Sequence, residues 1–239
     1  GTDERLLGAC VRNKVPLLSL PATTSMDGPR AEDAFAIESG VSFRAAVEQE
    51  RADWANTRRE YLLVQDIFQR EGIRAVLIKS VGMSPSLPYR SDNLDVLIDP
   101  RHDRRARQIL LNLGYVEVTN VEEPLKFLFR KFHLGESISA IHLHESVGWG
   151  TGFMDDAAVL ANARPAPDDP YIWIPAPEDA LLITMAHAFY EDKEIKLGDV
   201  WKVVHLLRVN GLDWDRVEQQ AAGRGWLDGF DTCVLLWSS

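Results

Sequence analysis

The sequence predicts an α+β fold: a small mixed β-sheet in the middle of the chain, with helices before it and a helical segment after it. Three observations carry this. A long stretch before residue 73 repeats its apolar residues at helical spacing. Residues from about 73 to 150 alternate short, β-branched runs with one helical run. From about residue 151 the apolar spacing is helical again. These give an N-terminal helical segment at 1–72, an α/β core at 73–150 and a C-terminal helical segment at 151–239.

The first segment opens with "DERLLGACVRN", where Asp3 suits a helix cap and the apolar residues recur at helical spacing. "LPATTSMDGPRAEDA" is rich in turn formers and reads as a loop. "FRAAVEQERADWANTRREYLLVQDIFQREG" is the longest helical pattern. Trp54, Tyr61, Leu62, Val64, Ile67 and Phe68 supply its apolar side, and Gly72 ends it.

In the middle, "IRAVLIKS" reads as a strand, followed by a turn or short helix through "VGMSPSLPYR". "NLDVLIDP" is the next strand. "RHDRRARQILLNLG" is a helix with Arg101, Arg104, Arg105 and Arg107 as a solvated basic face, stopped by Gly114. "YVEVTNV" and "SISAIHLHESV" read as strands, while "PLKFLFRKFH" between them fits either type.

The last segment contains "PAPEDALLITMAHAFYE", with Pro177 at a helix start and Glu178 and Asp179 in its first turn, where they complement the helix dipole. "KLGDVWKVVHLLRVNG", "DWDRVEQQAAGRG" and a final apolar stretch follow. "ANARPAPDDP" reads as a linker between sheet and helices. Trp201, Trp214 and Trp226 are expected to anchor helical packing.

Composition narrows the classes of function. At 46% hydrophobic and 26% charged residues the chain is an ordinary globular one, and no run approaches the ~20 apolar residues of a membrane span. A net charge of −10 argues against a broad electrostatic hold on nucleic acid. The two cysteines, Cys10 and Cys233, have no metal-type spacing and suit a reducing cytoplasm. No signal-peptide pattern opens the chain, and a Gly start with a "LLWSS" end leads us to expect trimmed termini. Gly-rich phosphate loops, nucleophile elbows and zinc-spaced cysteine sets are absent from the sequence.

One stretch departs from ordinary strand chemistry. In "RSDNLDVLIDP", Leu94, Val96 and Ile98 fall on one face and Asn93 and Asp95 on the other. Strands avoid Asp and Asn, so a pair of them on one face marks a candidate site. The surrounding motifs are "LIKS" at 77–80, Arg90, "NLDVLI" at 93–98 and "IHLH" at 141–144. To these the tail adds a His-bearing helix, an Asp-bearing helix and an Asp-Trp pair. Together they resemble the nucleotidyltransferase superfold of the DNA polymerase β-like group, and within it a family of uncharacterised nucleotidyltransferases. That family's pattern reads Leu-Lys-Gly, then Asp-x-Asp on a strand, then Asp-Leu-His on a later strand, before a helical tail.

The resemblance implies a sheet of nucleotidyltransferase type and transfer of a nucleoside monophosphate from an NTP to an acceptor not named by the sequence. It implies a divalent metal, magnesium or manganese, gripped by carboxylates that converge from two strands. By position, Asp95, Asn93 and His142 take the catalytic and metal-binding places, and Lys79, Ser80 and Arg90 lie near the nucleotide. Three substitutions against the pattern stand out: Ser80 for Gly, Asn93 for the first Asp and His142 for the third carboxylate. Three negative charges thereby become one. Each unit charge ~4 Å from a divalent ion contributes roughly 8 kcal/mol at an effective dielectric of ~20, before desolvation. Imidazole also suits manganese, iron or zinc better than magnesium.

Two sources of a replacement carboxylate exist on paper: Asp92, through a bulge at the strand start, and Glu145, through a shifted register. His142 and His144 share a strand face and could hold a metal as a pair. His187 lies on an apolar helix and reads as a hydrogen-bonded core histidine. Lys196 and Asp199 either face the cleft or pair at the surface, and Lys79 either meets phosphate or reaches solvent. Three functions follow: an active nucleotidyltransferase, a nucleotide- or anion-binding protein without turnover, and a partner-binding protein with no ligand. Metal-dependent pyrophosphate release identifies the first, and binding without turnover the second.

Overall fold

The computed structural model describes residues 8–10, 12–17, 43–79, 93–118, 126–148, 152–208 and 211–238. Helix α1 (Phe43–Arg70) forms over the long helical pattern. Tyr61, Val64 and Phe68, spaced three and four apart, are fully buried along one stripe. Gly72, at φ +72°, makes the left-handed turn that ends the helix.

Strands β1 (Ala75–Leu77) and β2 (Leu94–Ile98) follow, then a single 3-10 turn (Pro100–His102) and helix α2 (Asp103–Asn112). Strands β3 (Val116–Val118), β4 (Lys126–His133) and β5 (Glu136–His144) complete a five-stranded sheet in the order β1-β2-β5-β4-β3. Among the described residues β2 and β5 pair parallel and the other neighbours antiparallel, so the sheet is mixed as expected. The ambiguous segment "PLKFLFRKFH" supplies β4. It is drawn into the sheet by pairing with β5 across a tight turn in which Leu134 and Gly135 both have positive φ.

The two faces of the sheet meet different partners. Leu94, Val96, Ile98, Ile141 and Leu143 pack with Tyr61, Phe68 and Leu110 from the N-terminal side. Val76, Ile78 and Leu97 pack instead against the C-terminal helices. Every residue of β2 is therefore buried, as in strands covered on both faces. Asp95, alternating with Leu94 and Val96, lies on the second face, at the seam between sheet and helices.

The rest of the chain builds that second layer: α3 (Asp156–Asn162), α4 (Pro177–Ala186), a π-helical turn (His187–Glu191), α5 (Leu197–Arg208), α6 (Trp214–Gly223) and α7 (Leu227–Ser238). Asp155 and Asp213 cap α3 and α6 by accepting from Ala158 and Arg216 backbone N–H groups. The linker read from "ANARPAPDDP" is corrected. Residues there form a hairpin of β6 (Arg164–Ala166) and β7 (Asp169–Ile174). The turn between them falls at Pro167 and Asp168, and strands this short carry little periodicity. Burial of Ala166 and Ile172 in the first core and an Arg58–Asp169 ion pair to α1 hold the hairpin in place.

Two aromatic expectations are also corrected. Trp201 and Trp214 are exposed, one on the outer side of α5 and the other at the first position of α6, while Trp226 is buried. The basic run read as one helical face is split between the 3-10 turn and α2 and is mostly paired: Arg101 of the turn with Asp99, and Arg105 and Arg107 of α2 with Glu71 and Glu117. Among the described residues no helix is long and apolar enough to cross a membrane.

Close backbone approach fixes one junction. Gly198 donates its N–H to Asn13 O, and a Cβ there would lie 2.7 Å from Lys14 O. Because the obstacle is backbone, Gly198→Ala should cost about 2 kcal/mol, seen as a lower urea midpoint with an unchanged slope. An unchanged midpoint would mean that the N-terminal segment gives way freely.

Candidate active site

Strand register assembles the site. Asp95 on β2 is the direct partner of His142 on β5, and His144 on β5 is the direct partner of Lys126 on β4. With a period of two, Asp95, His142, His144 and Lys126 all fall on the face toward the C-terminal helices. His144 Nε2 lies 2.7 Å from Asp95 Oδ1 and His142 Nδ1 lies 3.5 Å from the same oxygen. The two imidazole rings are 4.6 Å apart. Just past the end of β1, Lys79 brings its Nζ to 3.7 Å from Asp95 Oδ1.

The helical layer supplies the opposite wall. The π-helical turn sets His187 and Glu191 side by side, and His187 Nδ1 is 2.8 Å from Glu191 Oε2. Such wide turns recur at functional sites. Glu191 Oε2 is also 3.6 Å from Lys79 Nζ and 3.9 Å from Lys126 Nζ, so Lys79 bridges Asp95 and Glu191. Behind this, Lys202 and Asp199 form a buried pair at 3.3 Å, and Lys196 pairs with Asp192.

Charge in the pocket follows from burial set against these partners. Burial alone would raise Asp95, but Lys79 and hydrogen bonds from His142 and His144 hold its carboxyl well below the usual range. For His144 burial wins over the pull of Asp95, bringing the imidazole down to about 4. Burial likewise opposes ionisation of Glu191, and His187, Lys79 and Lys126 overcome it, so its carboxyl lies low. Lys202 is pushed down by burial despite Asp199. At neutral pH the pocket therefore holds ionised Asp95 and Glu191, with His144 neutral.

Asp95, His142 and Lys79 are thus brought together. Asn93 sits half-buried immediately before β2, outside the strand proper. Ser80, Arg90 and Asp92 lie outside the described residues, as does the connection through "VGMSPSLPYR". The shifted register that would recruit Glu145 does not occur. Glu145 instead has Asp103 and Arg107 as its charged neighbours, and burial raises its carboxyl. His187 is the hydrogen-bonded histidine expected, with Glu191 as its partner. Sequence reasoning missed Glu191 and Lys126. The i, i+4 spacing of His187 and Glu191 was a usable signal for the first, and a strand reading of "KFLFRKFH" for the second.

Comparison with known proteins now adds to this geometry. A family model described as an uncharacterised nucleotidyltransferase matches residues 38–238. The chain belongs to this nucleotidyltransferase family. No curated protein matches it. Among solved structures, this nucleotidyltransferase-family chain is similar to the lincosamide antibiotic adenylyltransferase LnuA with lincomycin bound. That likeness has 12% identity and a TM-score of 0.44, over 64% of this chain and 98% of the other. A likeness this distant decides nothing about substrate.

The divalent metal that the family implies can be tested against the residues present. Asp95, His142 and His144 could hold an ion, their ligand atoms all lying within 4.8 Å of one another. The set does not fit magnesium. Magnesium wants oxygen ligands in octahedral order, and here one carboxylate stands with two imidazoles and an ammonium group 3.7 Å away.

Proposed function

We propose that the Asp95 pocket transfers a nucleoside monophosphate from an NTP to a hydroxyl or amine acceptor, using an altered triad of one carboxylate and imidazoles. The observation that carries this is the register that sets Asp95 opposite His142 on the inner face of the sheet, in a chain of this family. The new bond joins the acceptor oxygen or nitrogen to the α-phosphorus, the bond from that phosphorus to the oxygen bridging to the β-phosphate breaks, pyrophosphate leaves, and the acceptor's proton passes to solvent. Lys79 and Lys126, each within 4 Å of Glu191, supply ammonium groups that a triphosphate would draw away from their carboxylate partners. Asp95 fixes the imidazoles, Asn93 takes the place of the pattern's first carboxylate as a neutral ligand or substrate hydrogen-bonder, and the family pattern would give Ser80 and Arg90 contacts to the nucleotide.

A second reading is favoured by Lys79 itself. Its ammonium group stands between Asp95 and Glu191 and offsets one of their two charges, a cation placed to meet phosphate, which suits a pocket that binds a nucleotide or other anion without turnover. Incubation with each NTP, with magnesium, manganese, zinc or no metal, separates the two. Pyrophosphate release that Asp95→Ala abolishes supports transfer. Calorimetric NTP binding without release, weakened about tenfold or more in Lys79→Ala, supports the second reading. Neither release nor heat with any NTP would overturn both.

A further inference from the structure

We propose that Asp95, His142 and His144 form the ligand set of a single borderline divalent ion, with zinc the first candidate, and that this pocket rejects magnesium. The inference deepens the reading of the Asp95 pocket given above, but it concerns ion binding alone and does not require turnover.

The geometry supports it in three ways. First, Asp95 Oδ1, His142 Nδ1 and His144 Nε2 converge from two adjacent strands in the middle of the sheet. Rigid strands hold ligands more accurately than loops do. One carboxylate with two imidazoles is a recurring set for zinc and its neighbours, and three protein ligands leave a coordination position open.

Second, the far side of His144 is already arranged. Its Nδ1 lies 3.3 Å from Ser146 O. In the ion-bound form the ring proton sits on Nδ1, where Ser146 O accepts it, and Nε2, which otherwise donates to Asp95, turns its lone pair to the ion. Ser146 O is the outer partner that metal-bound histidines have almost without exception. Both ring nitrogens face acceptor oxygens, Ser146 O on one side and Asp95 Oδ1 on the other, and a neutral imidazole has one N–H to offer them. A cation between Nε2 and Oδ1 satisfies both groups at once.

Third, the site can be reached and its competing charge can move. His142 and Lys79 retain side-chain exposures of 13% and 10%, whereas His144 has none. The Lys79 ammonium stands between Asp95 and Glu191, at 3.7 and 3.6 Å. An arriving ion displaces it from Asp95 toward Glu191, and that displacement weakens ion binding. Magnesium faces the same repulsion but gains nothing from imidazole nitrogen.

The test uses the full chain, stripped of metal with EDTA, dialysed, and titrated with zinc chloride and magnesium chloride by calorimetry. Cobalt chloride is followed separately by visible absorption. We expect one zinc per chain, bound about 100-fold or more tightly than magnesium, and cobalt d–d bands of a low-coordinate ion. His142→Gln and His144→Gln should each weaken zinc by about 100-fold, while Lys79→Gln should tighten it several-fold. Should a histidine variant fail to fold, ring NMR on the wild type gives the same answer, because zinc should move the resonances of two of the six histidines. Zinc bound no better than magnesium, or affinity unchanged in both histidine variants, overturns the proposal. Zinc bound without pyrophosphate release upholds this inference and sinks the proposed transfer. Release with magnesium and no zinc preference does the reverse.

Discussion

Asp95→Ala is expected to lose about 3 kcal/mol of folding stability at neutral pH and all ion binding at the pocket. The buried His144 ring loses its 2.7 Å partner, and Lys79 loses one carboxylate while keeping Glu191. Removing one member of a buried charged set costs more than the set itself contributes, because the survivors stay desolvated. The urea midpoint reports this, with an unchanged slope showing that the unfolded state is not the cause. Asp95→Asn distinguishes structure from chemistry. Its amide oxygen still accepts from His144, so it should recover part of the stability while binding no ion. A loss below about 1 kcal/mol in Asp95→Ala would mean that the imidazoles and Lys79 find water instead.

Acid should destabilise the metal-free protein in two stages. His144 has an ordinary value of 6.5 and is brought down to about 4 in the fold. Between those values the unfolded chain binds a proton that the folded chain refuses. Stability from this group is therefore complete above pH 6.5, falls as pH drops to about 4, and is constant below. The loss amounts to about 3 kcal/mol. Asp95 acts in a lower window. Its folded carboxyl lies well below 3.8, so its contribution is present above that value and is lost as pH falls through the folded one. His187 and His205 are also pushed down by burial, so the His144 share is read from His144→Gln, which should flatten most of the upper slope. Stability that stays level from pH 6.5 to 4 would mean an imidazolium at 144, donating to Asp95 and Ser146 O together.

Much of the fold was legible because its periods are clean. Leu94, Val96 and Ile98 alternate with Asp95 and Leu97, and Tyr61, Val64 and Phe68 keep helical spacing, so β2 and α1 follow directly. "KFLFRKFH" was not legible, since Phe127, Phe129 and Phe132 fit either period and only pairing with β5 decides between them. The inner wall of the site was legible as well, because Asp95, His142 and His144 advertise themselves as polar residues on apolar strands. The outer wall was not. Glu191 meets Lys79 across more than a hundred residues of chain, and no local pattern encodes a contact made by layer packing. Trp201 shows the converse limit, since hydrophobicity alone does not say which side of a helix the layer covers.

The pairing of Asp95 with His142 has a consequence at the level of codons. Asn and Asp codons differ at their first base, and so do those of His and Asp. Two first-base changes, at 93 and 142, would return this chain to the all-carboxylate pattern it resembles. The strand register framing the pocket has no such short route, because a slip of one residue turns every side chain over. Mutation can thus exchange one set of donors for another on this scaffold while leaving the scaffold in place.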